Sequence, residues 1–347
     1  FAKLNCVEAF AECLHILMCG TGFGFSVEED EVSKLPSIPE IKSGKDIVRE
    51  VIDDSREGWA DSVKTLMTSL YDGQNLYFDY SQLRPEGARL STMGGRSSGP
   101  QPLIKLHDFI RETMHNAQGR KLTSLECHDI ANQIAEIVVA GGVRRSSQIS
   151  LSDLNDEDMR HAKDWPFPIR RAMANNSAIY REKPAAADFL VEWGVLAKSG
   201  SGERGIFNLE SAQNQAPARR YSSKIQGTNP CGEIMLRDME FCNLSEVVIR
   251  EEDDLDSLLD KVETATWLGV LQSTFTDFPY LRKQWKKNCD VERLLGVSLT
   301  GQMDNPIVMN SEALKALKSR VLRISRKAST LLDVNMPVST TCVKPSG

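Results

Sequence analysis

A thiol, a carboxylate and an amide share the stretch Asn229-Pro230-Cys231-Gly232-Glu233, and a second thiol follows in Glu240-Phe241-Cys242-Asn243-Leu244. These residue types supply a nucleophile or radical carrier, a general base and a hydrogen-bonding group at one point. Pro230 fixes its own φ and pushes Asn229 towards an extended conformation, and Gly232 permits backbone angles that other residues resist. Cys231 is therefore expected at the tip of a tight loop with Asn229 and Glu233 beside it. A lone cysteine is ordinarily a small buried hydrophobe, but flanking Pro and Gly argue against a place inside a regular element. The separation of Cys231 and Cys242 fits no common zinc site, whose paired ligands lie about two to four residues apart. The five histidines are scattered, so no metal site is expected. A nucleophilic thiol needs a neighbouring His, Lys or helix N-terminus, and the local sequence supplies none. A radical carrier would need only shelter from water and a short reach, and in that case Cys231 would be a neutral thiol, largely buried and close to Glu233.

The elements that must position this loop can be read from periodicity and turn chemistry. Phe10, Cys13, Leu14 and Leu17 fall at helical spacing just after a short apolar stretch, Phe1 to Cys6. Cys19-Gly20-Thr21-Gly22-Phe23-Gly24 follows a helix, whereas a dinucleotide fingerprint follows a strand; a close backbone approach is the better reading. Residues 27–50 are polar and read as a surface excursion. Asp54 to Tyr71 is an amphipathic helix with Val63, Leu66, Met67 and Leu70 on one face. The loop Gly94-Gly95-Arg96-Ser97-Ser98-Gly99-Pro100 has amides and hydroxyls that could hold a phosphate or a ribose. Thr123-Ser124-Leu125-Glu126 is a capping box that opens a helix ending at Gly141-Gly142. An alternating strand follows, in which Arg144 or Arg145 could meet phosphate or pair with a carboxylate. His128 reads as a structural residue. Strands are expected at Asn175–Tyr180, Gly205–Leu209 and Leu294–Thr300, and helices at Phe189–Lys198, Asp254–Phe278 and Ser311–Val334. Alternating strands and helices without a dinucleotide fingerprint fit an α/β barrel.

Composition narrows the function classes. The chain has 347 residues, 41% hydrophobic and 26% charged, as in a soluble globular protein of one large or two ordinary domains. A net charge of −6 provides no global field for nucleic acid, so an anionic substrate needs local positive groups. No apolar run is long enough for a membrane span. Eight irregularly spaced cysteines point to reduced thiols in a cytoplasm. Phe1 in place of Met and an end in mid-motif at Gly347 give the impression of a chain cut at both ends.

Asn-Pro-Cys-Gly-Glu-Ile at 229–234, followed by Glu-Phe-Cys-Asn-Leu-Ser-Glu at 240–246, closely resembles the active-site loop of ribonucleotide reductase large subunits. The glycine-rich turn at 19–26, the loop at 94–100 and the helix-Gly-Gly-strand unit resemble the same family. Together they point to the adenosylcobalamin-dependent ribonucleoside-triphosphate reductases. The resemblance implies a ten-stranded α/β barrel of the type shared with glycyl-radical enzymes, here incomplete at its C-terminus. Residues 1–347 would form a partial catalytic barrel domain, and 27–90 would carry an abbreviated effector-type insertion. It implies that Cys231 carries the thiyl radical, Glu233 is the base and Asn229 orients the substrate hydroxyl. Cys6 and Cys242 would close a redox-active disulfide, although the family leads one to expect a longer stretch between Cys6 and the following helix. Ser97, Ser98 and Gly99, with Pro345-Ser346-Gly347 at the start of a helix, would bind substrate phosphates. Adenosylcobalamin would be the cofactor, contacted by segments beyond this chain. The implied partners are a ribonucleoside triphosphate, a dNTP effector and thioredoxin or a similar dithiol. Three alternatives stand beside this reading. One is a class I-type large subunit with a separate radical subunit, and another is a glycyl-radical enzyme. The third is an inactive nucleotide-binding fragment.

Overall fold

The computed structural model describes residues 1–41, 49–90, 95–140, 147–200 and 202–345. Expectations for Gly94, Arg144, Arg145, Ser346 and Gly347 lie outside the described residues. The chain divides into two compact units, Ala2–Glu210 on the one hand and Phe1 with Ser211–Gly347 on the other.

The first unit is built on a five-stranded parallel sheet in the order β1-β2-β5-β6-β7. Its strands are β1 (Ala2–Lys3), β2 (Phe23–Ser26), β5 (Gln148–Asp153), β6 (Ala174–Tyr180) and β7 (Gly205–Asn208). Register is set by Ala2 opposite Phe25, Phe23 opposite Gln148, Gln148 opposite Ala174 and Ser177 opposite Gly205. Every residue of β2 is buried, which a parallel sheet covered by helices requires. The helices are α1 (Val7–Met18), α3 (Arg56–Tyr71), α4 (Gln101–Asn116), α5 (Ser124–Ala140) and α7 (Ala186–Ser199), with short α2 (Glu29–Val32) and α6 (Glu157–Arg160) between. A small parallel pair, β3 (Arg49–Val51) and β4 (Tyr77–Asp79), flanks α3 in sequence.

Helix α5 begins as its sequence signature predicts. The Thr123 amide donates to Glu126 Oε2 at 2.9 Å, and the Glu126 amide donates to Thr123 Oγ1 at 3.2 Å. His128 is fully buried, with Nδ1 3.0 Å from Ser150 Oγ, and burial lowers its pKa to about 3. It is a structural residue. His107 of α4 is likewise buried between Ser62 of α3, at 2.9 Å, and the Tyr80 hydroxyl beyond β4, at 2.7 Å, and so ties three elements together. The stretch 27–41 is less exposed than its polar composition implies. Val27, Val32, Leu35 and Ile38 are buried, and Glu31 is held by Lys3, Lys34 and Asn5.

Helix α8 (Leu209–Asn214) leads into the second unit. There an antiparallel hairpin, β8 (Gly227–Thr228) and β9 (Met235–Leu236), precedes the parallel pair β10 (Asn243–Val248) and β11 (Leu295–Thr300). Residues 339–342 run alongside β11: Leu295 donates to Ser339 O, Val297 to Thr340 O, and Cys342 to Val297 O. Helices α9 (Leu255–Gln272), α10 (Lys283–Glu292) and α11 (Ser311–Leu331) complete the unit. Asp254 and Ser257 cap α9 reciprocally. Val247, Ile249, Leu258, Val262, Val297 and Val321 form its core. Among the described residues no helix is long and apolar enough to cross a membrane.

Candidate active site

Cys231 lies at the tip of the β8–β9 hairpin, as the Pro and Gly around it predict. Thr228 pairs with Met235, and the Asn229 amide donates to Ile234 O at 3.2 Å. The tip closes where the Gly232 amide donates to Asn229 O at 3.0 Å. Pro230 thus takes the second turn position, which its ring favours. Gly232 takes φ +84°, an angle that a β-carbon resists. Asn229 is buried, and its Oδ1 accepts from the Ile234 amide at 3.0 Å and from Thr228 Oγ1 at 3.3 Å. The amide oxygen therefore holds the hairpin in shape and leaves Nδ2 to act as a donor.

Glu233 has its side chain almost wholly out of solvent. Oε1 accepts from Lys344 Nζ at 3.2 Å, and Oε2 is buried without a hydrogen-bond partner among the described residues. Lys344 Nζ also lies 3.9 Å from Cys231 Sγ, so thiol and carboxylate both lie within 4 Å of one ammonium nitrogen. Burial opposes the charge on Lys344, but the hydrogen bond and charge of Glu233 outweigh it and raise the Lys344 pKa.

Cys231 is exposed, not buried as the radical-carrier argument predicts. At the hairpin tip, no described atom apart from those of its chain neighbours lies within 4 Å of where a β-carbon on Gly232 would stand. The second correction is Lys344. The local sequence offers Cys231 no cation, yet the strand-like pairing of 339–342 with β11 brings one from 113 residues away. The sequence reading named Pro345-Ser346-Gly347 for phosphate and passed over Lys344, which directly precedes them.

Cys242 directly precedes β10 and is half-buried. Burial, with the charge of Glu233 adding to it, pushes its thiol up to about 12. The preceding loop is clamped by α10: Asn288 Nδ2 donates to Asp238 O and Met239 O, and the Phe241 ring stacks on buried Trp285 at 4.5 Å. Beneath the hairpin, Arg220 donates to Met235 O and Glu292 Oε2, both at 2.8 Å, and to Glu240 Oε2 at 3.2 Å, while Arg237 pairs with Glu292. A third thiol, Cys342, is half-buried; burial, reinforced by the charge of Glu233, pushes it up to about 11.

Cys6 belongs to the other unit, at the N-terminal boundary of α1, and is half-buried. All eight cysteines are thiols. Ser97, Ser98 and Gly99 form an ordered turn before α4. Gly99 donates to Ser97 Oγ at 3.0 Å, and Ser97 donates to Ala88 O at 2.7 Å. Pro345 is exposed and directly follows Lys344. A cavity of about 670 Å³ in the first unit, lined by Lys163, Trp165, Phe167, Lys198 and Glu203 among others, contains none of the predicted site residues. No group of three metal-binding side chains occurs among the described residues.

In sequence and in fold the chain is similar to adenosylcobalamin-dependent ribonucleotide reductases. The family model described as the insertion domain of B12-dependent ribonucleotide reductase matches residues 30–114. The adenosylcobalamin-dependent ribonucleoside-triphosphate reductase of Lactobacillus delbrueckii subsp. bulgaricus is 29% identical over 405 residues, covering 95% of this chain and 54% of its own length. The enzyme of that name from Levilactobacillus brevis is 31% identical over 360 residues, covering 88% of this chain and 45% of its own. The crystal structure of a B12-dependent (class II) ribonucleotide reductase superposes with a TM-score of 0.80 at 25% identity, over 97% of this chain and 56% of that one. The chain spans about half the length of the curated relatives it matches.

Proposed function

We propose that this chain carries the hydrogen-abstracting site of a ribonucleoside-triphosphate reductase that depends on adenosylcobalamin. The observation that carries the reading is the hairpin itself: an exposed thiol at the tip, beside a buried carboxylate with one oxygen held and the other unpartnered. A ribose 2′-hydroxyl leaves poorly from an unactivated carbon, so the neighbouring carbon must be activated first. Cys231, as a thiyl radical, takes the 3′ hydrogen: an S–H bond forms and a C–H bond breaks. Glu233 Oε2 receives the proton of the 3′-hydroxyl and gives it back as the 3′ carbon is reduced again, and Asn229 Nδ2 orients that oxygen. The 2′-hydroxyl departs as water. Cys6 and Cys242 supply two electrons and two protons and close a disulfide, and Cys231 returns its hydrogen to the 3′ carbon. A dithiol such as thioredoxin then reopens the disulfide by exchange. Adenosylcobalamin, when bound, supplies the organic radical that generates the thiyl.

The five-stranded parallel sheet and the separate parallel pair β10–β11, flanked by 339–342, support a ten-stranded barrel for the whole enzyme. The match at 30–114 supports an effector-type insertion there, and thus a dNTP effector. Ser97, Ser98, Gly99, Arg144 or Arg145, and Pro345-Ser346-Gly347 are the groups proposed for phosphate. Eight unbridged thiols support a cytoplasmic setting. The test is tritium release from 3′-labelled substrate by the full-length enzyme with adenosylcobalamin. Wild type should release tritium, and Cys231→Ser should release none while still binding nucleotide. Release by that variant at the wild-type rate would falsify the assignment.

A further inference from the structure

We propose that Lys344 is a working residue of the hairpin site, anchoring the Glu233 carboxylate through Oε1 and acting as the cation that sets the charge around the Cys231 thiol. The assignment rests on the reading of Glu233 as the base. A surface lysine paired with a carboxylate ordinarily contributes little. Here the carboxylate is 1% exposed and the lysine 28%, so the pair lies at the edge of the interior. Without Lys344, Glu233 would have neither oxygen hydrogen-bonded among the described residues, a costly state for a buried charge. With Lys344 on Oε1, the carboxylate cannot rotate freely, and Oε2 is left as the lone acceptor for a substrate hydroxyl.

The lysine is itself held in place. Its amide donates to Ser298 Oγ at 3.3 Å, and the Cys342 amide, two residues earlier, donates to Val297 O at 3.2 Å. Ser298 is fully buried in β11. The charges that act on Lys344 are Glu233, Cys231 and Glu246, all of which favour its ammonium form. A positive group 3.9 Å from Sγ favours a negative sulfur, and Glu233 opposes it.

Alkylation of Cys231 by iodoacetamide, an uncharged reagent, at one fixed pH reads this charge without cofactor or substrate. Peptide mass spectrometry resolves Cys231 from the other thiols, and continued protection of buried Cys289, in the same unit as Lys344, reports an intact fold there. We expect Lys344→Met to slow Cys231 alkylation about tenfold, Lys344→Arg to stay near wild type, and Glu233→Gln to speed it. An unchanged rate in Lys344→Met with Cys289 still protected overturns the proposal. In the full-length enzyme with adenosylcobalamin, Lys344→Met should lower kcat about a hundredfold with KM little changed, and Lys344→Arg should restore part of it. A raised KM at unchanged kcat would make Lys344 a substrate-binding group and overturn the anchoring role. If wild type itself releases no tritium from 3′-labelled substrate, the proposed function falls while the alkylation result stands.

Discussion

Burial and the charge of Glu292 push the Glu240 carboxyl up to about 8, so at neutral pH it retains a proton that an unfolded chain would have lost. Its Oε2 accepts from Arg220 and from the Arg237 amide at 2.8 Å, so this proton sits in the cluster that holds the hairpin from below. The native state binds the extra proton between the ordinary carboxyl value of 4.5 and about 8. Stability from this group is complete below that window and is lost as pH rises through it. The melting temperature should therefore fall from pH 5 to pH 8, and Glu240→Gln, which imitates the protonated form, should flatten the slope. Equal slopes in both proteins, measured by thermal scans across that range, would count against this account. At this scale the sequence was informative where the cause is local. Pro230 and Gly232 shape the turn, and Asn229 and Glu233 fall beside Cys231. Lys344 was not legible as a partner of Cys231, because only the pairing of 339–342 with β11 brings it there.

Elements with a strong local signature matched their sequence reading. Helix α5 has its capping box, α1 its apolar stripe, and β11 its stop at Gly301, with φ +72°. Thr123→Ala should cost about 1 kcal/mol, read by denaturant titration. Helix α10 was missed because its sequence, Lys283-Gln284-Trp285-Lys286-Lys287-Asn288-Cys289-Asp290, is mostly polar. It turns only Trp285, Asn288, Cys289 and Glu292 inward, and two of those four are polar groups that clamp the hairpin region instead of joining an apolar stripe. Gly296 shows how β11 in turn constrains the site. A β-carbon there would stand 2.5 Å from Leu244, 2.8 Å from Ile234 and 2.9 Å from the Cys342 sulfur. Ile234 directly follows Glu233, so displacing it moves the proposed base. Gly296→Ala should cost about 1–3 kcal/mol by overpacking and should lower nucleotide reduction more than nucleotide binding. A variant as stable and as active as wild type would show that the neighbours yield without disturbing the hairpin.

For the whole molecule, the 405 aligned positions exceed the 347 residues of this chain, so the relative carries segments with no counterpart here. Helix α1 starts directly after Cys6, where the family resemblance leads one to expect a longer connection. The redox pairing is the property that depends most on the complete protein, because Cys6 and Cys242 belong to different units. Removal of one 2′-hydroxyl consumes two electrons, and one dithiol supplies two as it closes to a disulfide. In the full-length enzyme with adenosylcobalamin and no external dithiol, turnover should therefore stop after about one deoxynucleotide per pre-reduced pair that can reach the site. At that point Cys6 and Cys242 should resist alkylation and should yield a joined peptide on mapping. Cys231 should remain alkylatable, since its hydrogen is returned in each cycle, and Cys13 and Cys127 serve as buried controls. Cys242→Ser should still release 3′ tritium but form no deoxynucleotide by this route. If Cys6 stays fully alkylatable after wild-type turnover while Cys242 does not, another thiol is the partner, and half-buried Cys342, in the same unit as Cys242, becomes the first to replace.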